Sequence, residues 1–327
     1  MANSTSPALR KHGLTYLLDT EPGISRLGRP GHFRYRYPNG KPVRDQKTLA
    51  WIRKLAIPPA WTEVWISPSR KTHLAATGRD VRGRKQYRYH PDFMALRDRD
   101  KFSHLVTFAK ALPHIKRRIR SDIRKPGLPK EKILAAVIML LDETLIRIGN
   151  RDYARDNGSY GLTTLLNRHV KVKGSQIRFL FRGKSGRRWS LSIRDRRVAG
   201  VVRACQELPG QHLFEYSGDD GLVQAIGSAD VNAYLREISG DDITAKDFRT
   251  WAGTLLAAKA FCRSDSRPSA AGVKKVVAAV AGQLGNTVAV CRKCYIHPAI
   301  ISAFLDGSLF LRRSGFEQSV IRFLARA

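Results

Sequence analysis

The sequence predicts an α+β protein: a small β-rich N-terminal domain, residues 1–92, and a larger, mainly helical domain, residues 93–327, holding a small three-stranded sheet. Two observations carry this. From His32 to about His90, short β-prone runs such as HFRYRY, TEVWIS and KQYRYH alternate with turn residues, and Pro38-Asn39-Gly40 is a hairpin signal. From Phe102 onward the period becomes helical, with helices expected at 102–119, 130–148, 194–207, 228–239, 245–262, 270–284 and 295–305.

Each element has its own reason. Residues 91–105 lack turn glycines and mark the crossing into the helical part. The basic stretch 116–132 contains Pro126-Gly127 and Pro129, so it must break between two helices. Helix 130–148 rests on the stripe Ile133, Leu134, Val137, Leu140 and Leu141. Between helices, HVKVKG, QIRFLFRG and RRWSLSI read as three strands, with Lys184 at the tip of a hairpin joining 176–182 to 187–193. Thr244, with Asp247 three residues on, approximates a capping box and sets Arg249 in the second turn, where it is expected to reach outward while Phe248, Ala252 and Leu255 face a core.

The chain has 327 residues, 43% hydrophobic, which is the make-up of a globular protein. Its 59 Lys+Arg against 27 Asp+Glu leave a net charge of +32, and the surplus lies in the first two thirds: 20 basic and 8 acidic side chains in 1–100, 24 and 7 in 101–200, 15 and 12 in 201–327. Such a field costs self-repulsion unless a polyanion relieves it, and duplex DNA, with one charge per ~1.7 Å, is the expected partner. A membrane is not. The longest apolar run, 133–141, falls far short of the ~20 residues of a spanning helix, and the N-terminus has no apolar signal region. The expected setting is cytoplasmic and nucleoid-associated. Four cysteines supply a single CxxC, Cys291 and Cys294, without a second pair at zinc spacing, so reduced thiols are expected.

Tyr295 lies nine residues after Asn286, in GNTVAVCRKCYIHPAII. A phenol amid so much positive charge suits a nucleophile aimed at a phosphodiester, with which it can form a covalent ester. Attack adds negative charge to the non-bridging oxygens, and planar guanidinium forks match these oxygens better than ammonium groups do. Arg147, in ETLIRIGNRDY, and Arg249, in AKDFRTWAGT, are the candidate pair; any single arginine among so many is ordinarily a solvated or phosphate-binding one. A leaving 5′ oxygen needs a proton, which a lysine near arginines can give, and Lys184 is the candidate; taken alone it reads as an exposed turn lysine.

The order Arg147, Lys184, Arg249, Asn286, Tyr295, inside the flanks RIGN-x-x-Y, F-x-GK, KDFRTW and LGNT-x-x-x-x-x-x-x-Y, resembles the type IB DNA topoisomerases, specifically their small bacterial and poxviral branch. The resemblance runs from about 26 to about 307 and includes IPPAWTEVWISP and TGRDVRGRKQYRYH. It implies that Tyr295 attacks the scissile phosphate to give a 3′-phosphotyrosyl ester, that Arg147 and Arg249 hold the non-bridging oxygens, and that Lys184 protonates the departing oxygen, with Lys246 assisting. Asn286 stands where poxviral and eukaryotic members carry histidine, and a neutral amide can donate a hydrogen bond but cannot titrate. The resemblance also implies DNA contacts at Gln86, Tyr87, Tyr89 and Tyr153, a DNA clamp in the N-terminal domain and catalysis in the helical one. Strand alternation puts Tyr87 and Tyr89 on one face and Gln86 with Arg88 on the other, which leaves an aromatic core pair as the competing reading. No cofactor is expected: the chain has neither a GxxxxGK[ST] loop nor a carboxylate cluster suited to two Mg²⁺ ions, and an ester exchange needs neither. A single chain suffices for a clamp, so a monomer is expected.

A tyrosine recombinase is the nearest rival, but that class typically shows His-x-x-Arg where this chain has Lys246-Asp-Phe-Arg249. A non-catalytic architectural DNA-binding protein would use the charge alone. An RNA-binding module would need the aromatic-rich signature that is absent here.

Overall fold

The computed structural model describes residues 9, 12–218, 222–263 and 268–327, without the side chains at 97–101, 103, 152 and 217. Residues 1–8, 10 and 11, within the stretch that lacks an apolar signal region, lie outside the described residues. The chain divides into two compact units, one up to Phe102 and one from Ser103 onward.

In the N-terminal unit, strands β1 (Ile24–Leu27), β2 (Arg34–Arg36), β3 (Thr62–Ile66), β4 (Leu74–Arg79) and β5 (Lys85–Tyr89) form one antiparallel sheet in the order β2-β1-β3-β4-β5. A helix, α1 (Gln46–Lys54), interrupts the strands, an element that the β-prone text around it concealed. Asp45 caps it by accepting from the Thr48 N–H at 2.8 Å. Ile52 of α1 completes a core with Ile24, Val43, Val64, Ile66 and Ala76. β4 is almost wholly buried, whereas β5 is an edge strand.

α2 (Pro91–Asp122) begins at Pro91, well before the expected 102, because nothing in 91–105 breaks it and proline is suited to a first helical turn. It ends before Pro126-Gly127 as expected, and α3 (Lys130–Thr144) follows. α3 is the centre of the second unit: Ile133 through Leu141, apart from Met139, are buried, and α5 (Arg196–Gln206), α6 (Ser228–Ser239) and α7 (Ala245–Arg263) pack around it. Between α3 and α5 lie the short helix α4 (Arg151–Asn157) and an antiparallel sheet of β6 (Val170–Lys173), β7 (Gln176–Arg182) and β8 (Arg188–Arg194). β7 alternates strictly, with Ile177, Phe179 and Phe181 inward. β9 (Glu215–Ser217) pairs with β10 (Val223–Ala225) before α6. α8 (Ala270–Leu284), α9 (Val288–Cys294), α10 (Pro298–Leu305) and α11 (Phe316–Leu324) complete the chain. Among the described residues no single helix is long and apolar enough to cross a membrane.

Two expected helices fall short of the sequence pattern by three residues or more at one end. α3 stops at Thr144, not 148, because Leu145 adopts a left-handed conformation (φ 57°) with its N–H on the Leu141 carbonyl. The expected helix 295–305 begins at Pro298, with Tyr295 instead ending α9. Pro298 explains the start: its fixed φ suits a first helical turn, and His297 caps it by accepting from the Ala299 N–H at 3.1 Å.

Asp122 is the buried polar junction of the second unit, accepting from the Tyr234 hydroxyl at 2.6 Å, Arg118 Nε at 2.9 Å and Lys125 Nζ at 3.1 Å. Burial alone would raise its pKa, but Tyr234, Lys125 and Arg118 together hold it below the ordinary 3.8. A depressed carboxyl contributes stability above its unfolded-state pKa and loses that contribution as pH falls through the folded-state value. Asp122→Asn is expected to cost about 1–3 kcal/mol at pH 7, and the gap from wild type should shrink below pH ~4, as urea denaturation at the two pH values would measure.

Candidate active site

Four of the five catalytic candidates converge around the C-terminal end of α8. That helix closes with Gly285 in the left-handed region (φ 64°), the Asn286 N–H returning to the Ala281 carbonyl at 3.0 Å. The turn leaves the Leu284 and Gly285 carbonyls free of helical bonds, and arginines from elsewhere take them. Arg147 Nη2 donates to the Gly285 carbonyl at 2.9 Å and also to Asn286 Oδ1. Arg249 Nη2 donates to the Leu284 carbonyl at 2.7 Å and lies 3.5 Å from Asn286 Oδ1, while its Nη1 donates to the Leu145 carbonyl. The Arg249 guanidinium carbon stands 5.2 Å from the centre of the Tyr295 ring.

Arg249 is therefore not the outward-reaching side chain that its place in the second turn suggested: it is 3% exposed. Phe248 is buried as expected, while Ala252 and Leu255 are half-buried. The capping box is present in half, with the Thr244 N–H and hydroxyl both donating to Asp247 at 2.8 Å. Burial pushes the Arg249 pKa down to about 10; the Tyr295 phenol opposes the shift and Arg147 adds to it. Burial likewise lowers that of Arg147, again opposed by Tyr295 and reinforced by Arg187. Both guanidinium groups remain charged at neutral pH.

The site also contains donors without acceptors. Asn286 Nδ2 and Arg249 Nε are buried and lack a hydrogen-bond partner. Buried unpaired donors are costly, and an anion placed among them would satisfy them. Among the described residues no group of three or more His, Cys, Asp or Glu side chains could hold a metal ion. The four cysteines are unpaired thiols; burial pushes the Cys291 thiol up to about 11, against the pull of Arg249.

Lys184 is not among the gathered side chains. It is exposed at the tip of the β7–β8 hairpin, with its ammonium 5.9 Å from the centre of the Tyr153 ring. Tyr153 is half-buried on α4, where Asn150 accepts from its N–H at 2.8 Å. Lys246 is exposed on α7, one turn before Arg249. In the N-terminal unit, Tyr87 and Tyr89 share one face of β5, their rings stacked at 5.9 Å and 7°. Tyr87 is 47% exposed, so the pair is not a buried core. Gln86 Nε2 donates to Asp80 Oδ2 at 3.0 Å.

Close backbone approaches, which sequence reasoning missed, hold the catalytic candidates in place. A Cβ on Gly253 would lie 2.4 Å from the Tyr295 carbonyl oxygen, so only glycine lets α7 touch that backbone. Next to it, Thr254 Oγ1 accepts from the His297 N–H at 3.1 Å. A Cβ on Gly161 would lie 2.5 Å from the Arg147 carbonyl oxygen, where Leu162 N–H donates at 2.8 Å. A glycine inside the helical pattern TWAGTLL was the available signal for the first.

Residues 90–306 match the family of the eukaryotic DNA topoisomerase I catalytic core, and residues 32–80 match the bacterial DNA topoisomerase IB N-terminal domain. The DNA topoisomerase 1B of Acanthamoeba polyphaga mimivirus is 32% identical over 285 residues, 84% of this chain and 85% of that protein. The DNA topoisomerase 1B of vaccinia virus (strain Western Reserve) is 28% identical over 113 residues, 35% of this chain and 36% of that protein. The chain belongs to the type IB DNA topoisomerases. It is thus an isomerase acting on DNA, of the small kind.

Gly253→Ala is expected to slow plasmid relaxation by about 10²-fold, because a displacement near 1 Å at a reacting group has that order of effect. DNA affinity, measured by gel shift, should stay near wild type.

Proposed function

We propose that the protein relaxes supercoiled duplex DNA by cutting and rejoining one strand through Tyr295. The phenol gives up its proton to water as its oxygen forms a bond to the scissile phosphorus and the bond to the 5′ oxygen breaks, leaving a 3′-phosphotyrosyl ester and, once that oxygen is protonated, a free 5′ hydroxyl. Arg147 and Arg249 hold the non-bridging oxygens, Asn286 Nδ2 donates to one of them, and Lys184 delivers the proton to the departing oxygen. The reverse attack reseals the strand. Because the ester conserves the phosphodiester energy, the cycle runs without ATP or metal, and rotation about the intact strand releases supercoils of either sign.

The observation that supports this reading is the convergence of Arg147, Arg249, Asn286 and Tyr295, from four separate chain segments, on one partly buried pocket with unpaired donors. A phosphate entering it would replace backbone carbonyls as the arginines' acceptor. The neutral amide at Asn286 lets the site work without an imidazolium at that position. Lys184 reaches the 5′ oxygen from the hairpin tip once DNA fills the groove. Tyr153, Lys246 and, in the N-terminal β-rich domain serving as a clamp, Gln86, Tyr87 and Tyr89 contact the duplex. A single chain carries out the reaction.

Tyr295→Phe is expected to bind DNA but to lose both relaxation and the covalent adduct trapped by denaturant; an adduct that persists means another nucleophile. Wild-type relaxation, run on a gel beside this variant, should continue in excess EDTA without nucleotide. Asn286→Ala should slow single-turnover cleavage by about 10²-fold, the usual cost of one transition-state donor. A rate equal to wild type would place the amide outside the reaction.

A further inference from the structure

We propose that Arg187 is a positioning residue for Lys184, acting as a latch that seats the base of the Lys184 hairpin on the end of α8. The inference rests on the reading of Lys184 as proton donor. Arg187 Nη2 donates to the Gly282 carbonyl at 2.5 Å, in the last turn of the helix whose next carbonyls hold Arg249 and Arg147. The Arg187 guanidinium also stacks 5.2 Å from the centre of the Trp189 ring. Trp189 in turn is only 8% exposed and closes on two glycines: a Cβ at Gly285 would lie 2.9 Å from its Cζ2, and one at Gly183 would lie 2.6 Å from its Nε1. Gly183 immediately precedes Lys184, and Gly285 immediately precedes Asn286. Trp189 is therefore the spacer between the proton donor and the phosphate pocket, and Arg187 clamps it there.

The loop transmits this docking. Gly183 N–H donates to the Arg187 carbonyl at 2.7 Å and Gly186 N–H to the Gly183 carbonyl at 3.1 Å, with Ser185 and Gly186 both in the left-handed region (φ 62° and 75°). Lys184 thus sits in a tight turn whose closing residue is the latch itself. On the other flank, Tyr160 N–H donates to the Arg182 carbonyl at 2.8 Å, and the Tyr153 ring faces the Lys184 ammonium. With the turn held at both flanks, freeing Arg187 releases the flank nearest the pocket, while Tyr295, Arg147, Arg249 and Asn286 keep their own anchors.

The latch also adds positive charge without an acid. Arg187 contributes to lowering the Arg147 pKa, which places the two guanidinium groups near one another, yet neither forms an ion pair among the described residues. A carboxylate partner for Arg187 would compete with the phosphate; a helix-end carbonyl holds the cation with only a partial negative charge.

The test uses the full-length protein in single-turnover cleavage of two duplexes, one with the ordinary 5′-bridging oxygen at the scissile phosphate and one with 5′-bridging sulfur, whose thiolate leaves without a proton. Arg187→Ala is expected to cleave the oxygen substrate about 10–100-fold more slowly than wild type and to recover to near the wild-type rate on sulfur, as Lys184→Ala does, while Arg249→Ala stays slow on both. If Lys184→Ala recovers on sulfur and Arg187→Ala does not, Arg187 acts on the phosphate or on the fold, and the latch is overturned with the role of Lys184 intact. If Lys184→Ala fails to recover, the proton-donor reading itself falls, and the latch with it. A wild-type rate for Arg187→Ala on oxygen overturns the latch alone.

Discussion

The free carbonyls at the end of α8 are the constraint on which the site depends. Two arginines from distant segments, Arg147 and Arg249, take the free Gly285 and Leu284 oxygens, and a third, Arg187, shares the Gly282 oxygen with the Gly285 N–H. The helix has no basic residue in its own last turn, so these cations supply the compensation its negative end would otherwise take from water or from within. Each such contact contributes on the order of 0.3–1 kcal/mol, and up to ~2 where partly buried. Holding like charges together this way keeps carboxylates out of the pocket. A site proposed to take phosphate keeps its positive potential only if its own anchors are weaker acceptors than the ligand.

That arrangement imposes demands on the backbone around it. The Leu145 carbonyl can accept from Arg249 because Leu145 leaves the helix in a left-handed conformation, which costs roughly 1–2 kcal/mol for a residue with a side chain. Gly285 turns the chain so that Asn286 faces Arg147. Gly253 and Gly161 admit the Tyr295 and Arg147 carbonyls at distances that no side chain would permit. The pocket is thus assembled as much from absent side chains as from present ones: Arg249 is carried by α7, while Arg147, Asn286 and Tyr295 stand on short irregular segments. Lys184 lies outside this group, on a hairpin joined to it through Trp189 and Arg187. The difference suits their proposed tasks, since oxygens must be held throughout the reaction while a proton is delivered at one moment.

Much of the architecture was legible along the chain. Helices 228–239 and 270–284 coincide with α6 and α8, the strands of the β6–β7–β8 sheet are within a residue or so of the runs that suggested them, and the break after α2 falls where Pro126-Gly127 demanded it. What escaped has a common physical cause. α3 carries an apolar pattern past Thr144, and only the contact between the Leu145 carbonyl and Arg249, distant in sequence, shows why the helix ends there. Arg249 reads as a surface residue from its helical position because its carbonyl partners, Leu145 and Leu284, are not its sequence neighbours. α1 is short and surrounded by strands, so its cap at Asp45 stood alone as a signal.

The sequence alone carried the α+β class and the basic field, because periodicity and charge are properties of neighbours along the chain, and its resemblance to the type IB family supplied the five candidate side chains in their local motifs. Tertiary structure alone decided that Arg147, Arg249, Asn286 and Tyr295 share one pocket, that Lys184 stands apart on a docked hairpin, and that Arg187 and four glycines frame them. The physical reason is that these relations are made by backbone carbonyls and close approaches between segments up to 139 positions apart, which no local pattern encodes.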